Sequence, residues 1–586
     1  MLTYLKFKWH RIFKRWLRMP GRWWRHGKAY FHYNVVAKWR QLALVRRFVM
    51  VWWGLVIVCL IGTVWQVRQL GVMSAVLQPL PGGSYVEGVA GAIKNINPIM
   101  PENAASSDAT KLVFSGLTRF NTEGKLVPDL AESWTVSADG KTYTFKLKKN
   151  VKWHDDVPFS AQDVAFTLTA IQNPDTRSPL SSSWQGVTVD IVDDNTVNFK
   201  LAKPYTPFIN ATTVGILPRH LLEGIDPRTM RVAEFNQKPV GTGPYEFKSL
   251  DMQNGELVLT ANDNYYRGKP LIDDITLRSY DNLEEAEQAL KRRQVMGVGK
   301  VQLNNVDEVA GMGNVKLHEA GMPDQVAVFF NTTKGVTTDK AVRSSLALAT
   351  DRQAIVENQL KGYASVLSDP IVASGLDLKG GSKQAAYNLV AAKQALEAAG
   401  WKSGPDGIRT KNGERLTIEI VTQSQTIYSE VAKEIANQWR EAGVEVKVKE
   451  VDASALQQSY IRPRNYSALL YGINVGADPD VYAYWHSSQG KDPGLNLSVY
   501  KSSAADLALE SGRTVRDNKT RSAKYKAFNQ AWVSDTPAVM LYAPSYVYGV
   551  NRNVYGIHIK RLITPSDRFD QVEKWSVRVK PVHINQ

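Results

Sequence analysis

The sequence predicts an α/β protein preceded by one transmembrane helix. Three patterns support this fold class: an apolar run near the N-terminus, pairs of alternating segments joined at turns, and a strand–helix–strand pattern in the C-terminal half. At 586 residues the chain is long enough for several domains, since a domain usually holds roughly 100–200 residues. The part that follows the membrane segment therefore comprises more than one domain.

Residues 1–47 form a basic tail, which we expect to be cytoplasmic. Residues 1–68 contain 14 Lys and Arg and no Asp or Glu, so they hold most of the formal net charge of +16. Leu2, Leu5, Trp9 and Ile12 follow a helical spacing, and such a helix would lie on an anionic membrane surface, where each basic residue contributes on the order of 1 kcal/mol. A disordered tail that only sets the orientation, and a tail that binds nucleic acid, are the alternatives. The near-neutral body carries no basic stripe with interleaved aromatics, so we expect no nucleic-acid binding there.

Residues 48–68 are predicted to form the transmembrane helix. The run 49–67 is almost uncharged, has tryptophans near its ends, and is long enough to cross roughly 30 Å of hydrocarbon. The basic flank before it predicts a single-pass plasma-membrane protein with a cytoplasmic N-terminus and an extracytoplasmic body. Cleavage near residues 73–75 is the alternative. Residues 69–84 read as a tether, and Cys59, the only cysteine, excludes an intramolecular disulfide and a Cys-based zinc site.

Two hairpins and one helix are predicted in the first half of the body. Alternating apolar residues on both sides of Asp139-Gly140 predict the first hairpin, and residues 187–201 predict the second. Ser160 is placed to cap a following helix, with Asp163 three residues later in a capping-box position. Residues 239–268 return to strand-like patterns, and residues 284–293 predict a short helix.

The strand–helix–strand pattern lies in residues 416–451. Residues 416–421 and 444–451 alternate as strands, while apolar residues recur every four positions on the helix between them until Gly443 ends it. The two strands of such a unit are parallel, so the loops at their carboxyl ends open toward one edge where α/β proteins commonly bind ligands. Residues 468–473 are a third strand candidate, followed by the loop 474–480, which reads NVGADPD.

Several sequence blocks follow one another in a fixed order along the body. Residues 112–168 contain GLTRF, LVPDLAESW, DGKTYTFKL, VKWHDD and PFSAQDVAFTL. Further blocks are PVGTGPYEFKS (239–249), NDNYYRGKP (262–270), VFFNT (328–332), DKAVRSSLALATDRQAI (339–355) and AAKQALEAAGW (391–401). From about residue 85 to about residue 557 the chain closely resembles the family 5 extracellular solute-binding proteins, the peptide- and nickel-binding receptors of bacterial ABC importers.

This resemblance implies a bilobed periplasmic-binding-protein-like fold of type II with an extra β-rich subdomain. The first lobe would consist of residues 85–122, 238–322 and 536–586, and the second of residues 323–535. Residues 123–237 would form the β-rich subdomain. A ligand would bind in the cleft between the two lobes, which would close by a hinge motion.

The resemblance also directs attention to the loop 474–480 as the ligand-binding region. Family members that take peptides often bind the α-amine with a carboxylate there, and Asp478 and Asp480 are the acids available; the alternative is that both only cap backbone amides in a turn. The other predicted ligand-binding residues are Asn474, Tyr482, Trp485 and Trp184. Tyr482 and Trp485 would either line the cleft or pack in the core, and of these two positions the core is favoured. Val475 and Gly476 stand where some dipeptide-binding relatives carry a further aspartate, so strict dipeptide specificity is not implied.

The body contains no recognisable catalytic motif. A GxSxG elbow, an HExxH helix and a P-loop are all missing from the sequence, and the nine histidines lack ligand spacing. His154 stands beside two carboxylates, which we interpret as a structural turn rather than a metal site. We therefore expect no enzyme activity, no cofactor and no metal.

The leading hypothesis is a membrane-anchored solute-binding protein that captures a peptide, or another small polar solute, for ABC permease subunits. A sensor or scaffold that signals through the basic tail is the alternative. An extracellular hydrolase is a third possibility and predicts turnover of the ligand.

Overall fold

The computed structural model describes residues 29, 33, 46–73, 75–371 and 376–583. The chain divides into two compact units, residues 1–78 with 580–586 and residues 79–579. Nearly all of the predicted basic tail lies outside the described residues, so its membrane contact and its alternatives stay predictions. The predicted lobe boundaries likewise stay predictions.

The helices occur along the whole described chain. They are α1 (Arg46–Met73), α2 (Ala104–Val113), α3 (Ala161–Gln172), α4 (Arg219–Leu222), α5 (Leu283–Lys291), α6 (Val306–Gly311) and α7 (Lys340–Leu348). The C-terminal half adds α8 (Arg352–Leu360), α9 (Leu389–Ala398), α10 (Ile427–Glu441), α11 (Ala453–Ala455), α12 (Tyr482–Trp485), α13 (Ser503–Thr514) and α14 (Asn518–Asp535).

The strands lie between these helices, several of them in uninterrupted runs. The first are β1 (Ala75–Leu80), β2 (Ser84–Ala90), β3 (Thr118–Phe120), β4 (Leu126–Pro128), β5 (Ala131–Val136), β6 (Thr142–Leu147), β7 (Val187–Asp193) and β8 (Thr196–Leu201). Next are β9 (Tyr245–Asp251), β10 (Glu256–Ala261), β11 (Asp274–Tyr280), β12 (Gly297–Val298), β13 (Val315–Gly321), β14 (Asp324–Phe330) and β15 (Ala364–Val366). The last are β16 (Lys402–Ser403), β17 (Arg409–Lys411), β18 (Glu414–Arg415), β19 (Thr417–Gln423), β20 (Glu445–Val451), β21 (Ala468–Asn474), β22 (Ala538–Asn551) and β23 (Arg578–His583).

The first unit includes α1 and most of the strands β1 and β23, which pair with each other. Helix α1 includes the residues predicted to cross the membrane. Among the described residues, no helix combines the length and the apolar character that crossing a membrane requires. The transmembrane helix therefore stays a prediction from the sequence.

One large sheet organises the second unit. Its strands follow the order β20-β19-β21-β14-β22-β12-β2-β11-β10-β9, and β13 and β15 also pair with β22. The long strand β22 pairs with β14 through residues 538–542 and with β13 through residues 545–551. Because β13 and β14 follow each other with only Met322 and Pro323 between them, two extended segments run side by side through the middle of the sheet.

The predicted strand–helix–strand unit is confirmed. Strands β19 and β20 are parallel, with Thr417 opposite Glu445, and α10 connects them. The third predicted strand is β21, which pairs with β19 in parallel on its other side. Helices and loops cover both faces of these strands, since Ile418 and Ile420 pack in one hydrophobic core and Val421 in another. Strands buried on both faces tolerate nearly continuous apolar residues.

The predicted hairpins are also confirmed, and they join into one four-stranded sheet with the order β5-β6-β8-β7. The turn of the first hairpin contains Gly140 with a φ of 71°, a left-handed conformation that glycine adopts without strain. Helix α3 begins at the predicted capping box, because Ser160 accepts a backbone N–H and the carboxylate of Asp163 accepts the N–H of Ser160. We name the unit β5–β8 with α3 the hairpin sheet.

The WHDD turn is tied to the segment 241–243. His154 accepts the N–H of Gly241 at Nδ1, and its Nε2 lies 3.1 Å from the carbonyl oxygen of Gly243. A Cβ at position 241 would lie 1.9 Å from the carbonyl oxygen of Val113, so only glycine allows the backbone to pass here. His154 thus has the structural role that the sequence predicts.

Candidate functional site

The carboxyl ends of β19 and β21 meet at one edge of the large sheet, as parallel neighbours must. The loop 474–480 follows β21 at this edge, and β14 begins there as well, because it runs antiparallel to β21 with Asp324 opposite Asn474. Five of the six predicted ligand-binding residues lie on this loop or on the short helix after it. The edge is therefore the candidate functional site.

Asp478 forms a bidentate pair with an arginine. Its Oδ2 accepts Nη1 of Arg521 at 3.0 Å and its Oδ1 accepts Nη2 at 2.5 Å. The same Oδ1 accepts the backbone N–H of Asp480 at 2.9 Å. Arg521 is buried near the start of α14, so the pair fixes the loop to that helix.

Asp480 has a similar partner in Arg513. Its Oδ2 lies 3.1 Å from Nε and 3.0 Å from Nη2 of Arg513, while its Oδ1 accepts the N–H of Tyr482. Burial raises the pKa of the Asp480 carboxyl, although the charge of Arg513 acts in the opposite direction. Both aspartates therefore cap backbone amides, as the turn interpretation predicts, and each already holds a guanidinium. Their role as amine ligands stays a prediction.

The other predicted residues on this edge differ in their exposure. Tyr482 is half-buried and stacks on His486, with the ring centroids 4.1 Å apart. Asn474 is exposed. Trp485 is fully buried and stacks on Phe329 with a centroid distance of 5.7 Å, so of its two predicted positions the core is confirmed and the cleft is wrong.

Trp184 lies on the short turn between α3 and β7 and packs against the hairpin sheet. Only 4% of it is exposed, and its ring packs against Phe199 and Phe208 with centroid distances of 5.6 and 5.4 Å. The expected cleft-facing ring is thus a core residue. The Pro/Ser-rich sequence around it indicated a loop, but Trp184 is buried by aromatic rings from β8 and from the segment that follows β8.

We name Arg513 and Arg521 the arginine cluster. The hairpin sheet and the segment that follows β8 contact Arg513 and the residues next to it. The guanidinium carbon of Arg513 lies 4.1 Å from the ring centroid of Tyr482 and 4.9 Å from that of Tyr205. Arg516 donates hydrogen bonds to the carbonyl oxygens of Val136 and Ser137. The hydroxyl of Thr206 donates to the carbonyl oxygen of Val515. We name these contacts of residues 513–516 the latch.

A cavity of about 690 Å³ lies beside the cluster. Tyr525 belongs to both, since its hydroxyl lies 3.5 Å from Nη2 of Arg521 and its side chain lines the cavity. The polar and charged residues that line the cavity include Asp369, Lys379, Lys383, Lys526 and Asn529. Burial raises the pKa of the Asp369 carboxyl. A cavity of this size can hold a small solute.

The sequence analysis did not identify three sets of residues at this edge. They are the arginines Arg513 and Arg521, the carboxylate of Asp324, and the tyrosines Tyr428 and Tyr484 near Asp324. The Asn474 amide donates to Asp324 Oδ1 at 2.7 Å across 150 residues of sequence. Arg521 pairs with Asp478 across 43 residues. No local pattern marks such contacts, because they depend on strand register and on where α14 packs.

The chain is similar to characterised bacterial proteins over most of its length. A sequence profile described as "Bacterial extracellular solute-binding proteins, family 5 Middle" matches residues 125–553. The oligopeptide-binding protein AppA of Bacillus subtilis (strain 168) is 30% identical over 516 residues, which cover 85% of this chain and 92% of AppA.

Solved structures give the same result. The structure of AppA from Bacillus subtilis in complex with a nonapeptide matches with a TM-score of 0.67 and 29% identity, covering 86% of this chain and 100% of that one. The structure of NikZ from Campylobacter jejuni in complex with Ni(L-His) matches with a TM-score of 0.70 and 29% identity, covering 84% and 99%.

Proposed function

We propose, on the premise that this chain belongs to the family 5 bacterial extracellular solute-binding proteins, that it captures a peptide and delivers it to an ABC permease. The observation that carries this proposal is the similarity to AppA, an oligopeptide-binding protein whose structure contains a nonapeptide, along nearly the full length of both chains. The family consists of solute-binding proteins rather than enzymes. That membership supports ligand capture without turnover.

The geometry of the sheet supports a binding mechanism that uses hinge closure. The two adjacent segments β13–β14 and β22 connect the strands on one side of the large sheet with those on the other. A small change in backbone angles around Met322 and Pro323 would move the loop 474–480 relative to β12 and β2. Ligand main-chain groups would then pair with protein amides and carbonyls, with water filling the remaining space.

The function is tested with the full chain, purified in detergent. Native mass spectrometry should detect co-purified peptide, or stoichiometric capture from a pool of random pentapeptides that is later released unchanged. A chain that captures none of the pool is not a peptide receptor, and capture of a Ni(II)–histidine complex instead would assign it the cargo seen in NikZ. Cleaved pentapeptides would indicate the hydrolase.

We propose further that α1 anchors the body on the outer side of the plasma membrane. The support is the apolar sequence of residues 49–67, its basic flank, and the exposure of large apolar side chains along α1, of which Trp52, Trp53 and Trp65 are each more than 60% exposed. Protease added to intact cells should remove the body and spare the tail. A body protected from protease in intact cells would refute this orientation. It would also contradict the sensor alternative, which requires the same orientation.

A further inference from the structure

Asp324 lies where the two halves of the large sheet meet. It is the first residue of β14, directly after Met322 and Pro323, and it stands opposite Asn474 in the pairing with β21. Its Oδ1 accepts the amide of Asn474 at 2.7 Å, and the Asn474 Oδ1 in turn accepts the N–H of Gly476. The carboxylate is therefore held at the start of the loop 474–480 and is half-buried.

The charge of Asp324 lacks a close counterpart in the described part of the chain. Asn474 is its side-chain hydrogen-bond partner, and the exposed Lys300 is the cation that acts on it from a longer distance. Asp478 and Asp480, by contrast, each contact a guanidinium within 3.1 Å. Burial raises the pKa of the Asp324 carboxyl, as expected for a carboxylate that has lost water without gaining a salt bridge.

Two tyrosines complete the surroundings of Asp324. Burial raises the pKa of Tyr428 to about 12 and also raises that of Tyr484, and the negative charge of Asp324 adds to both shifts. The Tyr428 hydroxyl passes over Gly472, where a Cβ would lie only 2.4 Å from it. The Tyr484 hydroxyl donates to the carbonyl oxygen of Asn474. A half-buried carboxylate without a guanidinium partner, close to two phenol groups, provides hydrogen-bond acceptors of the kind that an ammonium group requires.

We propose that Asp324, positioned by Asn474 and flanked by Tyr428 and Tyr484, binds the ammonium group of the ligand. The inference rests on the proposed function and assigns the amine contact to the start of β14 rather than to Asp478 or Asp480. Those two carboxylates hold arginines that connect the loop to α13 and α14. The ammonium group comes either from a peptide α-amine or from a lysine side chain, and the two sources are separable.

The test measures how much of each of three random pentapeptide pools the full chain retains in detergent. The pools are free-amine peptides without lysine, N-acetylated peptides with one lysine, and N-acetylated peptides without lysine. Wild-type protein should retain an amine-bearing pool about ten- to a hundredfold more than the pool without any amine, because a charge-assisted hydrogen bond contributes that factor. The first pool will be preferred if the group is an α-amine, and the second if it is a lysine.

Asp324→Asn should abolish this preference, and Asp324→Glu should restore part of it. Asp251→Asn is the matched control, because Asp251 also accepts an asparagine amide at 2.7 Å but lies in the β9–β10 hairpin. Tyr484→Leu gives a second test that leaves the carboxylate in place, and it should reduce the preference severalfold.

Equal retention of all three pools by wild-type protein would overturn the inference and leave the peptide function intact. An unchanged preference in Asp324→Asn would do the same. If wild-type protein retained none of the pools, the proposed function itself would fail, and the inference with it.

Discussion

Charged side chains at the candidate site differ in what they are free to bind, and this difference is decided residue by residue. Asp478 and Asp480 belong to one short motif, yet both carboxylates are occupied by arginines from the next two helices. Asp324 has no motif around it and no arginine or lysine within salt-bridge distance among the described residues. The availability of a carboxylate therefore depends on its partners rather than on its local sequence.

Asp478→Asn should destabilise the protein by roughly 2–4 kcal/mol, because it leaves the buried guanidinium of Arg521 without its counter-ion. Urea denaturation followed by circular dichroism measures this loss. Asp263→Asn is the control, since Asp263 pairs with Lys269 on the exposed surface and should cost less than about 1 kcal/mol. Asp478→Asn should weaken the binding of free-amine and N-acetylated peptides equally. A selective loss of affinity for the free-amine peptides would restore Asp478 as the amine ligand.

His154→Gln should flatten the pH dependence of stability between pH 6.5 and about 4. Burial lowers the pKa of His154 to about 4, so in this window the unfolded chain binds a proton that the folded chain does not. Stability is therefore lost as the pH falls from 6.5, by up to about 3 kcal/mol at pH 4. Urea denaturation at pH 7, 5.5 and 4 measures the slope.

The exposed His558 provides the control for this experiment, since His558→Gln should leave most of the slope in place. His318, whose pKa burial also lowers to about 4, accounts for a further part of the acid loss. An unchanged slope in His154→Gln would show that the imidazole titrates freely in the folded protein.

Secondary-structure elements follow local rules where their ends carry capping and turn residues. The capping box of α3 and the Gly140 turn form as those rules require. The long strand β22 does not follow them, because Pro544 interrupts its sequence and prolines are unusual within strands. Pro544 lies where the partner of β22 changes from β15 to β13, so the missing N–H is accommodated by a change of neighbour.

Ser160→Ala should lower the free energy of unfolding by about 1 kcal/mol, since it removes the side chain that accepts a backbone N–H at the start of α3. Ser160→Asp keeps an acceptor at this position and should recover most of the loss. Thermal denaturation of both variants measures the difference. Equal stability of the alanine and aspartate variants would mean that packing of α3, and not its cap, determines its start.

At the scale of the whole molecule, binding depends on segments that are far apart in sequence. The latch connects the hairpin sheet with residues 513–516 beside the arginine cluster, and β13–β14 with β22 connect the two sides of the large sheet. Closure around a ligand would form or tighten such contacts. Their loss should therefore weaken binding more than it weakens folding.

Arg516→Ala should reduce the affinity for a captured pentapeptide roughly three- to tenfold with less than about 1 kcal/mol loss of stability, because two exposed hydrogen bonds of the latch disappear. Isothermal titration calorimetry and thermal denaturation measure the two effects. Arg440→Ala is the matched control, as Arg440 donates to the carbonyl oxygen of Val446 within the strand–helix–strand unit. An affinity equal to that of wild-type protein would show that the latch does not contribute to closure.

The sequence by itself determined the elements whose signals are local: the two hairpins, the capped helix α3, the parallel unit β19–α10–β20, and the family to which the blocks belong. Only the tertiary structure decided which side chains are buried and which carboxylates pair with guanidinium groups. Trp184 and Trp485 were both candidates for the cleft, but each is buried against other aromatic rings, and the position of Asp324 opposite Asn474 follows from strand register. Periodicity and turn chemistry act over a few residues, whereas burial and charge pairing depend on how strands and helices separated by up to hundreds of residues pack together.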